Sequence, residues 1–170
     1  MTLSSRGSSS SSPATARAPR SDVPGLRILA IDYGRRRIGL AVSDQLCLTA
    51  RPLGTLLRQN RRGALRRLRE IVRDNRVGKI LVGHPVHLNG VSSEMAVETE
   101  RFAARIQKEL GLPVELVDER LTSWEAEQTL AETKAGRGKA RSRQDIDAVA
   151  ASILLREYLE RARAPKKGGD

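Results

Sequence analysis

Apolar residues change their spacing along the chain, and the changes mark the elements. "LRILAID" and "RIGLAVSD" are two apolar runs joined by a Gly-containing turn, which predicts a β-hairpin. "LTARPLGTLLR" predicts a third strand, in which Pro52 points to a sheet edge or a bulge. In "RRGALRRLREIVRD" the period becomes helical: Leu65, Leu68 and Val72 form the apolar stripe and the arginines the wet face. "KILVGHP" is a short buried strand ended by Gly83 and Pro85. "SSEMAVETERFAARIQKEL" predicts a helix with Met95, Thr99, Phe102, Ile106 and Leu110 on one face, stopped by Gly111. "LPVELVDE" is another strand, and "TSWEAEQTLAET" a short helix whose Thr122 and Glu125 have capping-box spacing. "KAGRGKARSR" reads as a basic, Gly-containing loop. "QDIDAVAASILLREYLERA" is the last helix, capped by Ser142 with Asp145 at its third position. The order β-β-β-α-β-α-β-α, with the short extra helix, predicts an α/β fold in which helices cover a mixed central sheet.

Composition bounds what such a fold can do. The chain has 170 residues, 39% of them hydrophobic, enough for one domain with a sizeable core. Residues 1–25 are Ser-, Pro- and Arg-rich with no apolar period and are expected to be a disordered tail, not a secretory signal. The domain is expected over residues 26–162, with a basic tail at 163–170. The net charge of +11 makes nucleic acid the leading partner and an anionic membrane surface the second; arginine-solvated helices would need neither. Aromatics are only 2% of the chain, too few for a base-stacking platform, so binding should run through the phosphate backbone and depend steeply on salt. No apolar run approaches the roughly 20 residues of a bilayer span. The single cysteine, Cys47, excludes an intrachain disulfide, fits a reducing compartment and reads as a small core residue beside Leu46 and Leu48.

Three carboxylates stand where a solvated helix face does not explain them. Asp32 ends the first strand, on the face of Ile28 and Ala30; it either caps the turn beside an arginine or belongs to a site. Glu119 ends "VELVDE", and Asp118 beside it points to the opposite face while the strand lasts. Either Glu119 pairs with Arg120 or it shares a site with Asp32. Asp147 shares a helix face with Ala150, Ala151, Leu154 and Tyr158, small and apolar enough to pack closely on a sheet. Buried there without a cation, it would cost several kcal/mol; in an early turn, partly exposed, it would be favoured by the helix dipole. If the three converge, hard oxygen ligands without a Cys or His cluster select Mg²⁺ or Mn²⁺ over zinc, the apparatus of phosphodiester hydrolysis.

Four segments, "ILAIDYGRRRIGLAVSD", "GHPVHLNG", "VDERLTSWEAE" and "DAVAASILL", occur in an order and spacing that resembles the YqgF or RuvX family. These are Holliday-junction-resolvase-like proteins of RNase H fold, described as pre-16S rRNA nucleases. The resemblance spans about Leu26 to Leu159. It implies a metal-dependent hydrolase acting on ester bonds, with Asp32, Glu119 and Asp147 as catalytic and Mg²⁺- or Mn²⁺-binding acids. It also implies 5′-end processing of pre-16S rRNA during ribosome biogenesis, in the cytoplasm. His84, where the family commonly has Leu, and Ser123, where a second Thr is common, depart from the pattern without removing an acid.

The positive residues are then expected to bind nucleic acid. Lys134, Arg137, Lys139, Arg141 and Arg143 form an acid-free loop whose glycines let backbone approach phosphates. Arg35, Arg36 and Arg37 in the hairpin turn, and Arg120, are candidates for further phosphates, although Arg37 also begins a strand. His84 and His87 read as ordinary loop residues. The expected partner is structured RNA such as pre-rRNA, or branched DNA, engaged by a monomer or weak homodimer away from any membrane. Competing readings are a Holliday-junction-type DNA resolvase, a non-catalytic RNA-binding ribosome or transcription factor, and an ATP-binding domain of the actin and sugar-kinase type.

Overall fold

The computed structural model describes residues 25–85, 93–118 and 143–164, with the side chains of the last segment from Ile146 on. Its elements are β1 (Arg27–Tyr33), β2 (Arg37–Ser43), β3 (Ala50–Leu57), α1 (Arg61–Asp74), β4 (Val77–His84), α2 (Glu94–Leu110), β5 (Val114–Asp118) and α3 (Arg143–Arg163). The expected short helix from Thr122, the basic loop and Ser142 lie outside the described residues.

The sheet order is β3-β2-β1-β4-β5. β1, β2 and β3 run antiparallel, while β4 and β5 run parallel to β1. Strand alternation divides the core in two. Leu29, Ile31, Ile38, Leu40, Ile80 and Val82 pack under α1 and α2, where Leu68, Ala103 and Ile106 meet them. Ala30, Ala41, Leu81 and Val117 face α3 and meet Ala151, Leu154, Leu155 and Leu159. The second layer is built from small residues, so α3 lies close on the sheet.

Local chemistry sets the boundaries. Asn60 caps α1, its Oδ1 accepting from the Gly63 N–H at 2.7 Å, and Ser93 Oγ accepts from the Ala96 N–H at 3.0 Å to start α2. Gly111 ends α2 in the left-handed region at φ 67°. Pro52 meets both of its expectations: β3 is an edge strand, and its pairing with β2 slips by one residue between Leu40 and Ala41. The buried row of α2 is Ala96, Thr99, Ala103 and Ile106; Met95 and Phe102, expected on that row, are half-buried at its margin.

Cys47 is a correction. It sits half-buried at φ 53° in the loop after β2, against the edge of the α3-side core, with Leu46 and Leu48 exposed around it. The chain has left the sheet there. Asp44 accepts the Leu48 and Thr49 N–H groups and winds the segment into a surface loop.

Candidate active site

β1, β4 and β5 all end at the same edge of the sheet, and β2 begins there, because β1 and β2 are a hairpin and β4 and β5 run with β1. Ligands of open α/β sheets favour this carboxyl edge. Gly34 makes the hairpin turn tight: its N–H donates to the Arg37 carbonyl at 2.9 Å, and a Cβ on Gly34 would lie 2.6 Å from that oxygen.

A glycine lets the helix that carries Asp147 lie over the strand pair that carries Asp32. Asp32 stands directly opposite Gly39 in the β1–β2 ladder, so both point to the same face of the sheet. That face is the one covered by α3, as Ala30 and Ala41 show two positions along. A Cβ on Gly39 would lie 2.0 Å from the main-chain carbonyl oxygen of Asp147. Only glycine therefore lets the first turns of α3 sit over the Asp32–Gly39 pair. Sequence reading missed Gly39. Its signal was present: a glycine inside an apolar strand run marks a close backbone approach.

Arg37, opening β2 on the same edge, places Nε 2.7 Å from Asp147 Oδ2. At that distance the guanidinium neutralises the carboxylate, whose Oδ2 is itself buried. A hard carboxylate oxygen held out of solvent, whose cation at hand is a guanidinium, is chemically suited to Mg²⁺ or Mn²⁺, which take oxygen ligands and would displace Arg37. Among the described residues no group of three acidic, His or Cys side chains gathers around one point. Glu119 lies outside the described residues, directly after the end of β5; Val117, two residues earlier, faces α3.

The expected phosphate contacts separate. Arg35 is engaged by two acids of α2, with Nη2 2.9 Å from Glu94 Oε2 and 2.9 Å from Glu98 Oε1. Its guanidinium pKa is raised by Glu98 first and Glu94 second. Arg37 is occupied by Asp147. Arg36 is exposed at the turn. Arg120, Lys134, Arg137, Lys139 and Arg141 lie outside the described residues, as does His87, and the Arg143 side chain is not described. His84 turns to the opposite face, where Nε2 lies 3.0 Å from Glu100 Oε1 on α2.

The family model of RuvX, described as Holliday junction resolvase, matches residues 26–161. The chain belongs to the RuvX family. A relative from Koribacter versatilis is 45% identical over 138 residues, spanning 79% of this chain and 87% of its own. One from Anaeromyxobacter sp. (strain K) is 41% identical over 140 residues, spanning 82% and 100%. A third, from Synechococcus sp., is 36% identical over 147 residues, spanning 86% and 97%. All three carry the name "Putative pre-16S rRNA nuclease". Among solved structures, T. thermophilus RuvC in complex with Holliday junction substrate superposes with TM-score 0.52 at 17% identity, covering 82% of this RuvX-family chain and 97% of its own. The Fowlpox virus resolvase bound to Holliday junction DNA gives 0.50 at 11%, covering 81% and 99%. At such identities these two matches speak to the fold: a resolvase-type, RNase H-like sheet with helices on both faces.

Proposed function

We propose that this chain is a divalent-metal-dependent nuclease that hydrolyses phosphodiester bonds, acting at the 5′ end of pre-16S rRNA in the cytoplasm. The observation that carries the reading is the packing of α3 on Gly39, which brings two acids from distant parts of the chain to one face at the carboxyl edge of the sheet. The names borne by relatives at 36–45% identity support the substrate.

Asp32 and Asp147, with Glu119 as the third acid, would hold Mg²⁺ or Mn²⁺. A divalent ion so held stabilises charge on the phosphoryl oxygens and eases ionisation of the attacking water. The chain's own residues supply the rest. Asp147 is fixed by α3 and its packing on β2, so its carboxylate does not have to be ordered when substrate arrives. Arg37 balances its charge until a metal or phosphate competes. Arg36 and the basic residues Arg120, Lys134, Arg137, Lys139, Arg141 and Arg143 are assigned to the phosphates of the substrate. Hydrolysis adds water at phosphorus, and the departing ribose oxygen leaves with a proton.

The family's description as Holliday junction resolvase favours a second substrate, the four-way DNA junction, for the same acids. Cleavage of a 5′-extended 16S rRNA fragment and of a four-way junction, run side by side with Mg²⁺ and with chelator, separates the two. Mg²⁺-dependent cutting of the rRNA precursor supports the proposal. Cutting of the junction alone replaces the substrate, and binding of RNA with no cutting of either replaces the enzyme by an RNA-binding factor.

A further inference from the structure

The sheet edge that carries Asp32 has a second face. Tyr33 follows Asp32 in β1 and, by strand alternation, points to the α1/α2 side. There a groove of about 560 Å³ opens between the hairpin, the β3–α1 junction and α2. Five arginines line it: Arg35, Arg58, Arg61, Arg101 and Arg105. Among the described residues that line it Glu98 is the one acid, and it is already bridged by Arg35.

The remaining arginines are arranged for an anion. Arg58 is held in place: Nη1 donates to Tyr33 Oη at 2.8 Å and to the Gly34 carbonyl at 3.1 Å, with the guanidinium 4.8 Å over the Tyr33 ring. Arg101 and Arg105 stand one turn apart on α2, which puts them on the same side of the helix. Neither they nor Arg61 pair with an acid among the described residues. α1 opens with Arg61 and Arg62 and has no acid in its first turn. Positive charge at the positive end of a helix dipole opposes the usual preference, so this end gains from an anion it does not carry itself. The floor, Tyr33 stacked on Phe102 at 4.5 Å between ring centroids, offers no hydrogen-bonding edge for reading a base beyond the Tyr33 hydroxyl, which Arg58 uses.

We propose that this groove binds the phosphodiester backbone of the nucleic-acid substrate, on the side of the sheet opposite the acids. It rests on the nuclease reading above and extends it. Asp32 and Tyr33 are consecutive on β1 and point to opposite faces, so a polynucleotide rounding the hairpin turn, where Arg36 is exposed, would reach both. That continuity favours a polynucleotide over a free nucleotide, which would have no reason to share an edge with the acids.

The test uses the full chain and the variant pair Arg101→Ala/Arg105→Ala, with Lys108→Ala on the same helix but outside the groove as control. Affinity for a structured 16S precursor fragment is measured against salt in an Asp147→Asn background. Loss of two phosphate contacts should weaken binding and reduce the slope of log affinity against log salt by about 1.4–1.8, while Lys108→Ala leaves it unchanged. In the active background, KM for the same fragment should rise proportionately more than kcat falls, the signature of lost substrate binding. An unchanged slope in a folded double variant overturns the groove even if Mg²⁺-dependent cleavage persists. Arginine-dependent ATP binding with an unchanged RNA slope also overturns it. If the parent cleaves nothing yet the slope still falls with the arginines, the nuclease reading fails and the groove stands.

Discussion

At the residue scale the proposed chemistry turns on Asp147 and its ion pair with Arg37. The contact joins a guanidinium that is 37% exposed to a carboxylate that is 20% exposed, so solvent screens it in part and the pair is worth on the order of 1 kcal/mol. Arg37 is therefore a weak competitor for the acid. Arg37→Met should raise Mg²⁺ affinity by about fivefold, the equivalent of that energy, and lower stability without metal because the buried Asp147 oxygen loses its cation; calorimetric titration and thermal melting of the variant against the parent check both. Asp32→Asn and Asp147→Asn should each lower cleavage about 10²–10³-fold or more, because each weakens the hold on the ion that would stabilise transition-state charge. Unaltered circular dichroism would show that the loss is chemical. The sequence carried Asp32 and Asp147 as oddly placed acids. That α3 carries Asp147 over the strand pair of Asp32 was not legible there, because it depends on which residues of β2 stand beside β1, a register no local pattern displays. The hairpin arginines illustrate the same limit: Arg35 is committed to Glu94 and Glu98, acids some sixty residues away that read only as a wet helix face.

At the element scale the decisive contact is α3 on β2. Gly39→Ala would drive a methyl group into the Asp147 carbonyl, and since backbone opposes it the helix must shift. The expected cost is about 1–3 kcal/mol or more, read as a lowered thermal midpoint together with lost activity; full activity at an unchanged midpoint would contradict the packing argument. The β2–β3 loop carries a pH signature. The Thr49 N–H foremost, with that of Leu48, lowers the Asp44 pKa below its ordinary 3.8. A carboxylate with a depressed folded pKa contributes stability above its unfolded value, and the contribution is lost as pH falls through the folded value. Asp44→Asn should thus narrow the difference in denaturant midpoint between about pH 5 and about pH 3. Strand and helix order was readable from periodicity throughout the described residues. The slip in α2, where Ala96 and Ala103 took positions expected of Met95 and Phe102, arises because small residues let the helix approach the sheet and the larger ones fill its margin.

At the scale of the whole molecule, charge and topology act together. Net charge of +11 on a chain with four aromatic residues fits backbone binding without a stacking platform. The RNase H-like sheet puts acids on one side of its carboxyl edge and an arginine groove on the other. No described helix is long and apolar enough to cross a membrane. RNA affinity should accordingly fall linearly with log salt and be insensitive to loop sequence in the substrate, which filter binding across a salt series measures. The most direct measurement is cleavage of a 5′-extended 16S rRNA fragment by the parent and by Asp147→Asn, with and without Mg²⁺. The expected result is a cut near the mature 5′ end that requires both the acid and the ion. Cleavage that survives Asp147→Asn and chelation would contradict it.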